Sequence, residues 1–114
     1  MTLGQHRRFF APAGLVVLCA VAADYESRAA SPDSGQIVMK NYMFAPSSVT
    51  IKAGASVTWV NKDHEPHAVS SDTGLFRSSA VDTDETFSFK FDKPGTYHFT
   101  CSIHPRMVGT IIVE

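Results

Sequence analysis

The stretch ETFSFKFDKPGTYHFTC, residues 85–101, limits the fold more than any other part of this chain. Phe87, Phe89 and Phe91 recur at every second residue with Thr86, Ser88 and Lys90 on the alternate positions, and Tyr97, Phe99 and Cys101 repeat the pattern beyond Asp92-Lys93-Pro94-Gly95. Side chains two apart share one face of a strand, and an Asp-Lys-Pro-Gly run favours a turn, so the segment predicts a β-hairpin. Its phenylalanines point inward and leave His98 and Thr100 outside. Cys101 therefore arrives at a strand end, facing the interior.

The rest of the chain repeats this grammar. GQIVMKN (35–41) reads as a first strand, SSVTIKAGASVTWVNKD (47–63) as two strands around Ala53-Gly54, PHAVSS (66–71) as a short strand and VGTIIVE (108–114) as the last. Val57, Trp59 and Asn61 share one face, which brings Asn61 to an inner edge. TGLFRSSAVDTD (73–84) is the least patterned segment and suits a loop or a bent strand. With no helical period anywhere in this region, the expected fold is all-β: a Greek-key β-sandwich of about seven to eight strands, paired antiparallel. The 114 residues fit one domain, and 44% hydrophobic with 18% charged residues is an ordinary globular composition. A formal net charge of −1 gives no basic footprint, which argues against nucleic-acid partners.

Residues 1–30 differ in kind. HRRFF (6–10) is basic, and APAGLVVLCAVAA (11–23) is apolar but shorter than the roughly 20 residues that span a bilayer. This is the pattern of a secretory signal peptide with a short linker, leaving 31–114 as the mature domain and predicting no stable membrane insertion. Ala20-Val21-Ala22, Val21-Ala22-Ala23 and Arg28-Ala29-Ala30 all suit cleavage, and a lipid-modified Cys19 is the lesser alternative. Removal of the signal takes Cys19 with it. Cys101 is then an unpaired thiol in an oxidising compartment, protected either by burial or by metal ligation.

CSIHPRM (101–107) sets Cys101, His104 and Met107 at equal three-residue steps before the closing strand. Thiolate and thioether suit Cu(I), and imidazole suits both copper oxidation states; two His and a Cys in a plane with a long axial Met is the donor set of electron-transfer copper sites. A second histidine must come from elsewhere, and NKDHEPHAV (61–69) offers His64 and His67. His67 follows Pro66 and opens a short strand, so it is the better placed; His64, between Asp63 and Glu65, reads as a solvent-facing loop residue, as His98 does on its outer face. Met39 and Met43 read as packing.

WVNKDHEPH, then GTYHFTCSIHPRM, then GTIIVE resembles the cupredoxins, the small blue copper proteins, most closely the amicyanin type with its C-x-x-H-x-x-M spacing. The resemblance covers roughly 36–114. It implies one copper ion held by His67, Cys101, His104 and Met107, with Asn61, Ala68 and Ser102 around them. Asn61 would tie the His67 loop to the Cys101 loop, the Ala68 N–H would point at the Cys101 sulfur, and Tyr97 would close a neighbouring corner. It also implies a monomeric, non-enzymatic, one-electron carrier in the periplasm. Its transient partners would be redox proteins such as a dehydrogenase donor and a c-type cytochrome acceptor. Two features depart from the type: Ser102 and Ile103 stand where relatives often have proline, and Arg106 where an apolar residue is common. A cation beside His104 favours an acidic or heme-bearing partner surface. Copper handling or delivery without fast electron transfer is the alternative reading. A thiol enzyme built on Cys101 and His104, or an immunoglobulin-like interaction module, are the readings outside metal chemistry.

Overall fold

A computed structural model describes residues 32–114, so the expected signal peptide, its cleavage points and Cys19 lie outside the described residues. Eight strands form two four-stranded sheets, with no helix among the described residues. The first sheet has the order β2 (Met43–Ala45), β1 (Ser34–Lys40), β4 (Ala55–Asn61), β6 (Thr86–Phe91). The second has β3 (Ser48–Ile51), β8 (Val108–Val113), β7 (Gly95–Thr100), β5 (Ser70–Ser71). The expected hairpin does not form: its two strands and the turn between them are present, but β6 pairs with β4 in the first sheet and β7 with β8 in the second, so the turn crosses from one sheet to the other.

The all-β sandwich holds, but the sheets are mixed. β1 runs parallel to β4 and β3 parallel to β8, where only antiparallel pairs were expected. After β2 the chain crosses to the second sheet as β3 and then returns as β4 beside β1. That excursion supplies the crossover a parallel pair requires, and alternation within a strand carries no record of it. Two local expectations also change. PHAVSS forms a strand only at Ser70–Ser71, while His67 makes an isolated bridge with Val81 in the segment 73–84. β2 was not foreseen, being only three residues long.

Between the sheets lies an aromatic core. Trp59 on β4 meets Phe99 on β7 edge-on, with ring centroids 5.3 Å apart, and Phe99 meets Phe44 at 4.7 Å in the same manner. Edge-to-face pairs at these distances add attraction beyond burial. Gly109 on β8 lies opposite Phe99, and a Cβ there would run into the Phe99 ring. The Tyr97 hydroxyl donates to the Lys93 carbonyl at 2.6 Å and fastens the β6–β7 turn.

This architecture sends several ends to one pole. Met39 pairs with Asn61, Val60 with Thr86, and Thr100 with Val108. The β1–β2 turn, the loop after β4 and the loop between β7 and β8 therefore emerge together.

Candidate metal centre

Cys101 leaves β7 fully buried, as its phase on that strand requires. The next six residues fold as two successive turns: the His104 N–H donates to the Cys101 carbonyl at 3.2 Å, and the Met107 N–H to the His104 carbonyl at 2.9 Å. An i to i+3 bond is the signature of a β-turn, so the equal three-residue steps are turn lengths. A third bond, from the Cys101 N–H to the Met107 carbonyl at 3.0 Å, closes the loop. Met107 is buried, His104 is half-buried, and Ser102, Ile103, Pro105 and Arg106 are exposed.

His67 comes from the other wall. It has no exposed surface, and its backbone is held on both sides by Val81, with His67 N–H to Val81 O at 3.1 Å and Val81 N–H to His67 O at 2.7 Å. Its Nε2 lies 2.8 Å from Asp63 Oδ2. Burial pushes the Asp63 carboxyl up, but hydrogen bonds from the Tyr42 N–H, from His67 and from the Asn41 N–H outweigh it and hold the group at about 2. Asp63 is thus a carboxylate that can only accept. His67 Nε2 must carry the hydrogen, and in the neutral ring this leaves Nδ1 with a bare lone pair.

That lone pair faces the other donors. His67 Nδ1 and His104 Nδ1 are 3.1 Å apart, and each lies 3.8 Å from Cys101 Sγ. The point equidistant from the corners of such a triangle lies about 2.1 Å from each, close to the lengths of metal–imidazole and metal–thiolate bonds. One buried thiol and two imidazoles, with a buried Met107 on the same loop, fit a copper ion by number, softness and spacing. The Ala68 N–H reaches Cys101 Sγ at 3.3 Å, a bond that stabilises negative charge on sulfur.

Ala68 is placed as expected, whereas Asn61 and Ser102 are not. The Asn61 side chain donates to the Glu65 carbonyl at 2.8 Å and to the Val81 carbonyl at 2.9 Å, and accepts from the Asp63 N–H at 2.8 Å. It ties the His67 loop to the Val81 segment and not to the Cys101 loop. Val81 bridges to His67, and its carbonyl is the one the Asn61 amide reaches. Ser102 is exposed and takes no part in this network. His64 and His98 are both exposed; Met39 is in the core, while Met43 is exposed on the edge strand β2.

Two residues at the site were not anticipated. Asp63 was legible only as one of the charges flanking His64, although its position four residues before His67 was the available signal. Tyr42 packs edge-on against both imidazoles, 5.6 Å from His67 and 4.9 Å from His104 between ring centroids. The line Cys101, His67, Asp63 has the order of a nucleophile, a base and an orienting acid. With Cys101 at 0% exposure, no substrate reaches its sulfur, and this geometry does not serve a thiol enzyme.

Comparison with known proteins follows the same direction. A family model described as "Cupredoxin-like domain" matches residues 11–113. Amicyanin-alpha of Methylorubrum extorquens is 36% identical over 86 residues, covering 71% of this chain and 72% of that protein. Plastocyanin of Scenedesmus fuscus is 41% identical over 95 residues, covering 72% and 92%. The crystal structure of amicyanin from Paracoccus versutus superimposes with a TM-score of 0.68 at 33% identity, over 72% of this chain and 82% of that one.

Proposed function

Because this chain belongs to the cupredoxin family, we propose that it is a blue copper protein that carries single electrons between redox partner proteins of the periplasm. The observation that carries this reading is the convergence of His67 Nδ1, His104 Nδ1 and Cys101 Sγ on one buried point. When bound, copper supplies the one-electron couple between Cu(II) and Cu(I). The protein's part is to make that couple fast and selective. His67 and Cys101 are fixed by bonds to Asp63, Val81 and Ala68, so the donors stay in place whatever the charge between them. Met107 is buried on the same loop, and its thioether would be the fourth donor. Burial of Cys101 and His67 keeps bulk water and oxidants from the thiolate. Only His104 is part-exposed, so its ring edge is the route by which electrons enter and leave.

Copper delivery without fast transfer would use the same donors, and Ile103 in place of a proline was the reason to weigh it. Three backbone hydrogen bonds close the loop without that proline, which favours a fixed site over an open one. The electron carrier is the better account.

Titration of the protein with Cu(II), with Cys101 kept reduced, tests the reading. An intense visible thiolate-to-copper band with narrow copper hyperfine splitting is expected, bleached reversibly by reductant and lost in Cys101→Ser. Colourless binding would refute the carrier and favour copper handling.

A further inference from the structure

Asp63 does two things at once. Its Oδ1 accepts the Asn41 N–H at 2.8 Å, and its Oδ2 accepts both the Tyr42 N–H at 3.0 Å and His67 Nε2 at 2.8 Å. Asn41 and Tyr42 are the central residues of the β1–β2 hairpin and both have left-handed backbones, with φ of 54° and 57°. Two such residues make the turn that suits the twist of a hairpin, but a tyrosine is an unfavourable choice there. The carboxylate holds this turn shut, and the turn sets the Tyr42 ring against His67 and His104. The Asp63 backbone is fixed as well, its N–H by Asn61 Oδ1 and its carbonyl by Thr83 Oγ1.

The charge of Asp63 is the second part of the argument. The residue is buried, yet among the described residues no lysine or arginine pairs with it: Lys62 bonds Asp84, and Lys40 bonds the Lys62 carbonyl. Among the described residues its one ionic partner is His67, and beyond His67 lies the triangle of donors. A buried carboxylate requires compensation. The Asn41 and Tyr42 N–H groups and His67 supply hydrogen bonds, and a metal ion held beyond His67 would add a positive charge.

We propose that Asp63 is a positioning residue of the metal centre, holding His67 with Nδ1 turned to the donor triangle and favouring the higher charge state of the bound ion. This rests on the copper reading above. A coordinated cysteine is a thiolate, so thiolate and Asp63 together balance Cu(II) and leave one net negative charge with Cu(I). A carboxylate hydrogen-bonded to a ligand histidine also strengthens that ligand. Both effects lower the reduction potential. Asp63→Asn keeps the shape, removes the charge and still offers one oxygen to His67.

The test joins a copper-loaded and a copper-free measurement. In the loaded protein, Asp63→Asn is expected to weaken Cu(II) relative to Cu(I) by about ten- to a hundred-fold, as loss of such a partner does elsewhere. At 59 mV per tenfold for one electron, the potential rises by about 60–120 mV, with the visible band retained. In the copper-free wild type, nitrogen NMR should find His67 as the Nε2–H tautomer with a slowly exchanging proton, and Asp63→Ala should abolish that slow exchange. An unchanged potential in Asp63→Asn alongside a lowered melting temperature would reduce Asp63 to a cap on the Asn41–Tyr42 turn and overturn the proposal. So would an Nδ1–H tautomer in the wild type, which decides the matter even if the variants do not fold. A wild type that lacks the visible band refutes the copper reading instead, and the copper-free tautomer still tests the Asp63–His67 clamp.

Discussion

The two walls of the metal centre are built on opposite principles. On the His67 wall, Asn61, Asp63 and His67 are buried polar side chains that satisfy one another and the backbone of Val81. On the Cys101 wall, four of the seven residues from Cys101 to Met107 are exposed, and the loop is held by three backbone bonds within itself. The first wall fixes one ligand through a network anchored on two segments of the fold. The second is a short self-closed loop that can present a ligand edge to solvent. A site that must be rigid and also reachable needs one wall of each kind.

Removing a ligand from each wall should break or sharpen that contrast most strongly. His67→Gly is expected to lose the visible band beyond rescue by added imidazole, because the gap is sealed from solvent and Asp63 loses its ionic partner, keeping only the Asn41 and Tyr42 N–H groups. His104→Gly should also lose the band but recover it with imidazole, since exposed residues border that position. Equal rescue at both positions, read by absorption, would show that the His67 wall is not closed.

Second in size is the response of the copper-free fold. Asn61→Ala deletes three hydrogen bonds, two of them buried, and orphans the Asp63 N–H, which should cost about 2–3 kcal/mol in urea unfolding. Ser102→Ala should fall within about 0.5 kcal/mol of wild type, as exposed substitutions do. Comparable losses from the two would mean that the Cys101 wall is also network-held.

The Cys101 wall was the legible one. Cys101, His104 and Met107 lie within seven residues, and turns and strand phase are local properties that a sequence states directly. The strands were legible for the same reason, from Phe87 to Phe91 and from Tyr97 to Cys101. The His67 wall was legible only in part, because its logic is carried by contacts distant in sequence. Nothing in NKDHEPH says that Asp63 reaches across to Asn41 and Tyr42, 22 and 21 residues earlier. Nor could alternation reveal that Asn61 would find Val81, or that β1 would lie parallel to β4; both depend on how the loops return. Tyr42 was hidden further, since its place follows from a strained turn that ordinary preferences argue against.

Acid should weaken the His67 wall first. Asp63 titrates at about 2 in the folded protein against an ordinary value of 3.8. A depressed carboxyl contributes stability that is complete above the unfolded value and is lost as pH falls toward the folded one. Copper-free wild type should therefore lose stability between about pH 4 and pH 2, and Asp63→Asn should lack that part of the decline. Asp84, held low by the hydrogen bond and charge of Lys62, acts with the same sign, so the difference between the two proteins isolates Asp63. Identical pH profiles in thermal melts would remove Asp63 from the account of this wall.

The smallest effect belongs to the surface of the Cys101 wall. Arg106 is exposed next to the half-buried His104, with Ile103, Pro105 and Tyr42 also exposed around that ring. A cation at the rim of an apolar patch acts on encounter and orientation more than on the bound complex, so its influence is on the rate of association. Arg106→Glu is expected to slow electron transfer to an acidic haem protein several-fold at low ionic strength. The difference should shrink as salt shortens the Debye length from about 10 Å at 0.1 M toward 3 Å at 1 M. The visible spectrum should not change, because Arg106 lies outside the donor set. Glu65→Lys changes charge by the same amount on the other wall, where the ligand is sealed, and should leave the rate alone. If Glu65→Lys proved the more sensitive of the two, electrons would be entering near His67, and the division between a closed wall and an open one would have to be reversed.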